Sequence, residues 1–197
     1  MVKNNKYIYG STIAFVVSDT NGTGKYSPYS YQDADGNIHQ HQLEDNYDYW
    51  KSEWYLEPLT TGKATWSEPY FDEGGGECLM STYSYPLKDM NGNINAIITA
   101  DIPLDWIKNK TDKVHPYEHS FATMLSKSGD FLSTNKEALD SNFTVLEMCE
   151  KMGNPKVTEM INNMLAGKTG KAIFSDKGKS YFAVYGPFKN GWSMSIT

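Results

Sequence analysis

Glycine-centred turns punctuate this chain between short runs rich in β-branched and aromatic residues. They include Asp19-Thr20-Asn21-Gly22, Asp33-Ala34-Asp35-Gly36-Asn37, Asp89-Met90-Asn91-Gly92-Asn93, Ser126-Lys127-Ser128-Gly129-Asp130, Asp176-Lys177-Gly178 and Lys189-Asn190-Gly191. Asn-Gly and Asp-Gly supply the positive φ that a tight hairpin needs, so the pattern commits the chain to antiparallel pairing of neighbouring strands. The expected strands are residues 11–17, 26–31 with a partner from Ile38, 66–72, 78–87, 94–102, 120–125, 131–133 and three more ending at 192–196.

Helical signals are fewer. Residues 43–59 carry acidic residues first and then aromatics at three- and four-residue spacing, which predicts one or two short helical turns packed on a sheet. Pro103-Leu104-Asp105-Trp106-Ile107 opens a short helix with Pro suited to its first turn. Residues 136–165 read as a helix interrupted near Gly153-Asn154-Pro155. Helices set against antiparallel sheets make the fold α+β rather than parallel α/β. The polar, unpatterned stretch 108–115 separates two expected lobes, residues 1–112 and 113–197. The second repeats the plan as strand pair, helix and three-strand meander.

At 197 residues there is enough chain for two small lobes. The net charge of -6, with no clustered Lys/Arg stretch, excludes a nucleic-acid partner and an anionic membrane surface, both of which need a basic face. Fourteen tyrosines are a surplus that suggests half-polar pockets, because each ring carries a polar tip. No apolar run approaches the ~18–20 residues needed to span a bilayer. The last residues fall inside an expected strand, as they would in a domain cut from a longer membrane protein.

Several chemistries find no support in the motifs. Gly74-Gly75-Gly76 marks a hairpin tip and not a phosphate loop, since no Gly-Lys-Ser/Thr follows. Asp33 to Asn37 places Gly36 at the fourth position of a loop that would need it at the sixth to hold calcium. His39 and His41 alternate along a strand and share a face, but two ligands without a third make no metal site. Cys78 and Cys149 are far apart in sequence and read as separate thiols, a disulfide between them being the alternative. Without a nucleophile elbow, dinucleotide fingerprint or paired carboxylates in a recognisable setting, the chain reads as no enzyme, and no cofactor is expected.

Ordered motifs then give a resemblance. Trp54-Tyr55, Trp66 to Asp72, the strand pair split by Asn91-Gly92, and the closing Ala100-Asp101-Ile102-Pro103-Leu104 resemble the membrane-distal lobe of the double Cache family. These are tandem PAS-like extracytoplasmic sensors of bacterial transmembrane receptors such as histidine kinases and chemoreceptors. Ser126 to Phe131 and Gly191-Trp192-Ser193-Met194 are similar to its membrane-proximal lobe. The resemblance implies two PAS-like lobes, a small-molecule ligand in the distal one, and a periplasmic position. It also implies a full-length protein that is membrane-anchored and homodimeric. Family members start with a long helix spanning both lobes, and no such pattern precedes Tyr7, so that helix is expected to be truncated here. A ligand-free spacer or protein-docking lobe is the alternative role.

In the amino-acid-sensing branch of that family the ligand is held by a tyrosine, an arginine five residues on, Trp-Tyr two residues later, and the aspartate ending the last strand. The corresponding residues here are Tyr47, Ser52, Trp54, Tyr55 and Asp101. Ser52 replaces the arginine, and the neighbouring Lys51 has no planar fork with which to clamp a carboxylate. Tyr70 and Asp72 join the candidate set. An aspartate among aromatics suits an ammonium group, so the resemblance implies an amine or amino-acid-like ligand without its carboxylate clamp. Asp101 could also cap the helix after it. Trp50, Lys51 and Glu53 are expected at an exposed rim.

Overall fold

The computed structural model describes residues 2–33, 35–134 and 144–197. It divides into two compact units, Met1–Pro103 and Leu104–Thr197.

In the first unit the strands are β1 (Gly10–Phe15), β2 (Pro28–Gln32), β3 (Ile38–Gln42), β4 (Thr65–Trp66), β5 (Tyr70–Phe71), β6 (Leu79–Lys88) and β7 (Ile94–Pro103), with one nine-residue helix, α1 (Glu53–Thr61). The antiparallel sheet runs β3-β2-β1-β7-β6-β4, and β5 also pairs with β6. Pro69, which has no N–H to give, falls between β4 and β5 where one continuous strand was expected. The hairpin turns share a device. Asp33 and Asp89 each accept the backbone N–H groups of the residues two and four positions on, while Gly36 and Gly92 take positive φ.

Two short 3-10 turns, Leu43–Asp45 and Tyr49–Lys51, lead into α1 and pack an aromatic cluster on the sheet. Tyr49 meets Trp50 and Tyr55 edge-on, with centroids 5.3 and 5.4 Å apart. Full burial of each large apolar side chain is worth about 1.5–3 kcal/mol, so this cluster is the main support of α1. Trp50 belongs to it at 6% exposure, with its indole N–H donating to the Thr20 carbonyl at 3.2 Å, and not to the exposed rim that the sequence suggested.

The second unit begins with α2 (Leu104–Thr111) and continues through β8 (Ala122–Leu125), β9 (Phe131–Thr134), α3 (Val145–Met152), α4 (Pro155–Leu165), β10 (Gly170–Asp176), β11 (Lys179–Pro187) and β12 (Ser193–Ile196). Its sheet order is β10-β11-β12-β8-β9. The break between α3 and α4 has a local cause. Gly153 ends α3 at φ 60°, Asn154 caps α4 by accepting the Lys156 N–H, and Pro155 fills the first turn. The part of the expected helix before Thr144 lies outside the described residues.

The division between units falls earlier than the polar stretch at 108–115 suggested. Leu104, Ile107 and Thr111 form the buried face of α2, which packs on β8 and β9, and the Thr111 hydroxyl reaches the Met124 sulfur at 3.4 Å. The polar composition of residues 108–115 reflects the solvent side of this helix. Both cysteines are free thiols, one in each unit.

Candidate functional site

A cleft of about 320 Å³ opens in the first unit between the start of α1 and the β4–β5 edge. Tyr47, Ser52, Trp54, Tyr70 and Asp72 all line it. Ser52 is the N-cap of α1 but makes no capping hydrogen bond with its side chain, so its hydroxyl is not committed to the helix. Glu53, Glu68 and Glu73 also line the cleft, and none of the described lining residues is basic. Glu53 is exposed as expected and still contributes to the wall.

Asp72 is 4% exposed and sits in a loop that wraps its carboxylate. Its Oδ2 accepts the Gly76 N–H at 2.7 Å, and the Tyr47 hydroxyl approaches Oδ1 at 3.5 Å. Gly75 is required here, because a Cβ at that position would come within 2.8 Å of the Asp72 carboxyl carbon. Burial raises the Asp72 pKa above the ordinary carboxylate value, opposed by the Gly76 and Tyr47 hydrogen bonds.

Asp101 lies behind the cleft wall at 3% exposure, inside β7, two residues before its end. It caps no helix, since α2 starts at Leu104. In register it is flanked by Gly10 of β1 and Thr82 of β6. The Thr82 hydroxyl donates to Asp101 Oδ1 at 2.9 Å, and the Tyr70 hydroxyl lies 2.7 Å from Thr82 Oγ1. A Tyr–Thr–Asp chain thus joins the cleft to the buried carboxylate. Burial first, and the Asp72 charge second, push the Asp101 carboxyl up to about 7. Burial and the same two aspartates raise the Tyr70, Tyr29 and Tyr47 phenols well above their usual value, so all three remain neutral donors.

Tyr55 is not part of this arrangement. It is 1% exposed, packs in the aromatic cluster, and accepts the Val17 N–H at 3.1 Å. Adjacent residues on a helix point about 100° apart, so Trp54 at the cleft sends Tyr55 into the core. Of the expected set, the structure gathers Tyr47, Ser52, Trp54, Tyr70 and Asp72 around one cleft, with Asp101 connected through Thr82.

Sequence reasoning missed Thr82, Tyr29, Gly10 and the acidic rim. Tyr29 is buried beside Asp101, and its hydroxyl makes no hydrogen bond of acceptable geometry among the described residues. A Cβ on Gly10 would collide with that hydroxyl and lie 2.8 Å from Asp101 Oδ2. The available signal was Thr82 and Ser84 on one strand and Thr99 and Asp101 on another, polar residues at alternate, inward-facing positions where a plain core would be apolar. His39 is committed to Asp33 at 2.7 Å, and no group of potential metal ligands occurs among the described residues.

Residues 1–109 match the family model described as methyl-accepting chemotaxis protein-like, first PDC sensor domain, in agreement with the Cache resemblance. No curated protein matches the chain. Among solved structures, a domain described as the extracellular part of a histidine kinase, mmHK1S-Z3, is 22% identical over 98% of this chain and 73% of its own, with a TM-score of 0.77. The periplasmic sensory domain of the Campylobacter jejuni chemoreceptor Tlp1 is 14% identical over 98% and 73%, with a TM-score of 0.70. The ligand-binding domain of the Pseudomonas fluorescens chemoreceptor CtaA, in complex with L-serine, is 15% identical over 95% and 70%, with a TM-score of 0.60. At these identities the structural likeness is one of fold.

Proposed function

Because the chain belongs to the family of methyl-accepting chemotaxis protein-like first PDC sensor domains, we propose that its first unit binds a small cationic amine and that this is the input of a membrane receptor. The family is one of sensor domains and not of catalysts. The observation that carries the ligand class is the cleft itself, with aromatic walls, Asp72 inside, three glutamates around it and no basic lining residue among those described. An ammonium group gains from carboxylates and from the faces of Trp54, Tyr47 and Tyr70 alike, each aromatic face contributing about 0.5–2 kcal/mol. The L-serine complex of CtaA supports a ligand with an amino group. The lack of a guanidinium at Ser52 argues against a free carboxylate as the second anchor.

Neutral phenols and the Thr82 hydroxyl offer hydrogen bonds to the aspartates, and the ammonium replaces part of the lost hydration. In the full-length protein this reading places the domain outside the cytoplasm, anchored to the membrane and paired with a second copy. Signalling is then a population shift. The ligand biases the receptor only by its differential affinity for two states of the domain.

A thermal-shift screen with primary amines, amino acids, dicarboxylates and sugars tests the reading. Stabilisation by amines alone supports it. A screen in which no small molecule stabilises the protein would favour the spacer or docking role.

A further inference from the structure

The second unit has a cavity of its own, of about 70 Å³, between the inner faces of α3 and α4 and the sheet. A dry cavity of about 150 Å³ takes a benzene ring, so the space as it stands admits only a few heavy atoms, and a ring enters it by displacing lining side chains. Val145, Met148, Val157, Ile161 and Phe174 supply apolar walls, and no charged residue is among the described lining. Methionine side chains reshape easily around a guest.

The floor is different. Ser195 of β12 stands opposite Thr123 of β8, and Thr123 stands opposite Thr134 of β9, so three hydroxyl residues line up across three adjacent strands beneath the helices. The two threonines hydrogen-bond each other, with 3.1 Å between their hydroxyl oxygens. Ser195 is 3% exposed and lines the cavity, and its hydroxyl has no hydrogen-bond partner among the described residues. That hydroxyl is therefore free to bond a guest.

We propose that this cavity is a second ligand site, taking a small, uncharged, mainly apolar molecule whose one hydrogen-bonding group meets Ser195. It is independent of the amine cleft, since every described lining residue lies in the second unit.

Phenol and toluene test it, having the same ring with and without a hydroxyl. Each is titrated into the full chain and followed by methionine-methyl NMR. Saturable shifts are expected at Met148, Met152 and Met160, with Met80 of the first unit unmoved, and phenol should bind more tightly than toluene. Ser195→Ala should weaken phenol by about tenfold, bringing it level with toluene. Val157→Phe should fill the cavity and abolish both shifts. If Val157→Phe fails to fold, the comparison of phenol and toluene in Ser195→Ala decides alone. The absence of saturable shifts in the unaltered protein would overturn the proposal. So would a phenol preference that survives Ser195→Ala, or binding that persists in a folded Val157→Phe.

Discussion

Thr82 donates its hydroxyl hydrogen bond to Asp101 at 2.9 Å. With its own proton committed, Thr82 can only accept from Tyr70, whose hydroxyl is 2.7 Å away. The order of donors therefore runs from the cleft inward, and the charge state of Asp101 is felt at the cleft wall.

Thr82→Val keeps the shape and removes both bonds. The buried carboxylate and the Tyr70 hydroxyl each lose a partner, so a loss of about 1–3 kcal/mol is expected in urea denaturation followed by tryptophan fluorescence. A change below about 0.5 kcal/mol would show that water or another group replaces the threonine.

Acidification should stabilise the ligand-free protein. The Asp101 carboxyl is raised to about 7 in the folded state, against an ordinary value near 3.8. The folded state therefore holds its proton where the unfolded state has lost it. The resulting stability is fully present below pH ~4 and is lost as pH rises through ~7. The difference corresponds to roughly 4 kcal/mol at most. Asp101→Asn should flatten this dependence and raise the melting temperature at pH 8. A melting temperature that climbs with pH between 5 and 8 would contradict the assignment.

Gly10→Ala should be among the costliest single-methyl insertions in the first unit. Its Cβ has no room beside the Tyr29 hydroxyl and the Asp101 carboxylate, and moving either disturbs the network. A loss of about 1–3 kcal/mol is expected. The same substitution at Gly92, where φ is 88° and nothing lies within 4 Å, measures backbone strain without a clash.

Tyr47→Phe and Tyr55→Phe should part company although the two residues are close in sequence. The Tyr55 hydroxyl oxygen accepts the Val17 N–H in the core, so its loss costs about 0.5–1.5 kcal/mol of stability with no change in ligand affinity. Tyr47 faces Asp72 in the cleft, so its loss should weaken an amine several-fold. Equal effects on binding would place Tyr55 at the site after all.

The strands and their pairing were legible because hairpin turns are local. Asp-x-Asn-Gly-Asn at 89–93 dictates its own hydrogen bonds and joins two strands without reference to the rest of the chain. Gly153-Asn154-Pro155 announces a helix break by the same logic. The end of the first unit was not legible, because α2 is polar on one side, and only the sheet it packs against reveals where it belongs.

Within the site, residues near α1 were accessible through the Tyr47 to Trp54 spacing, but the resemblance also carried Tyr55 along. Distinguishing the two neighbours needs the helix phase relative to the sheet, which depends on packing by Tyr49 and Trp50. Thr82 and Gly10 were invisible for a different reason. They join the buried network only through registration with Asp101 across two strand pairs, and Gly10 lies in a distant segment of the sequence.

Calorimetry of the most stabilising primary amine against the unaltered protein and Asp101→Asn, at pH 6 and pH 8, bears most directly on the claim that a cation in the cleft is drawn by the acidic groups around it, the charge of Asp101 behind the wall included. Asp101 does not line the cleft, so the substitution should act through the loss of its charge across a low-dielectric wall and weaken binding by about tenfold at pH 8. With the Asp101 carboxyl pushed up to about 7, the unaltered protein should bind about fivefold more weakly at pH 6 than at pH 8, and the variant should show no such dependence. Unchanged affinity in Asp101→Asn would contradict the account. So would tight binding of a free amino acid or dicarboxylate when simple amines fail, and the backbone N–H groups at the start of α1 would then be the place to look for the carboxylate.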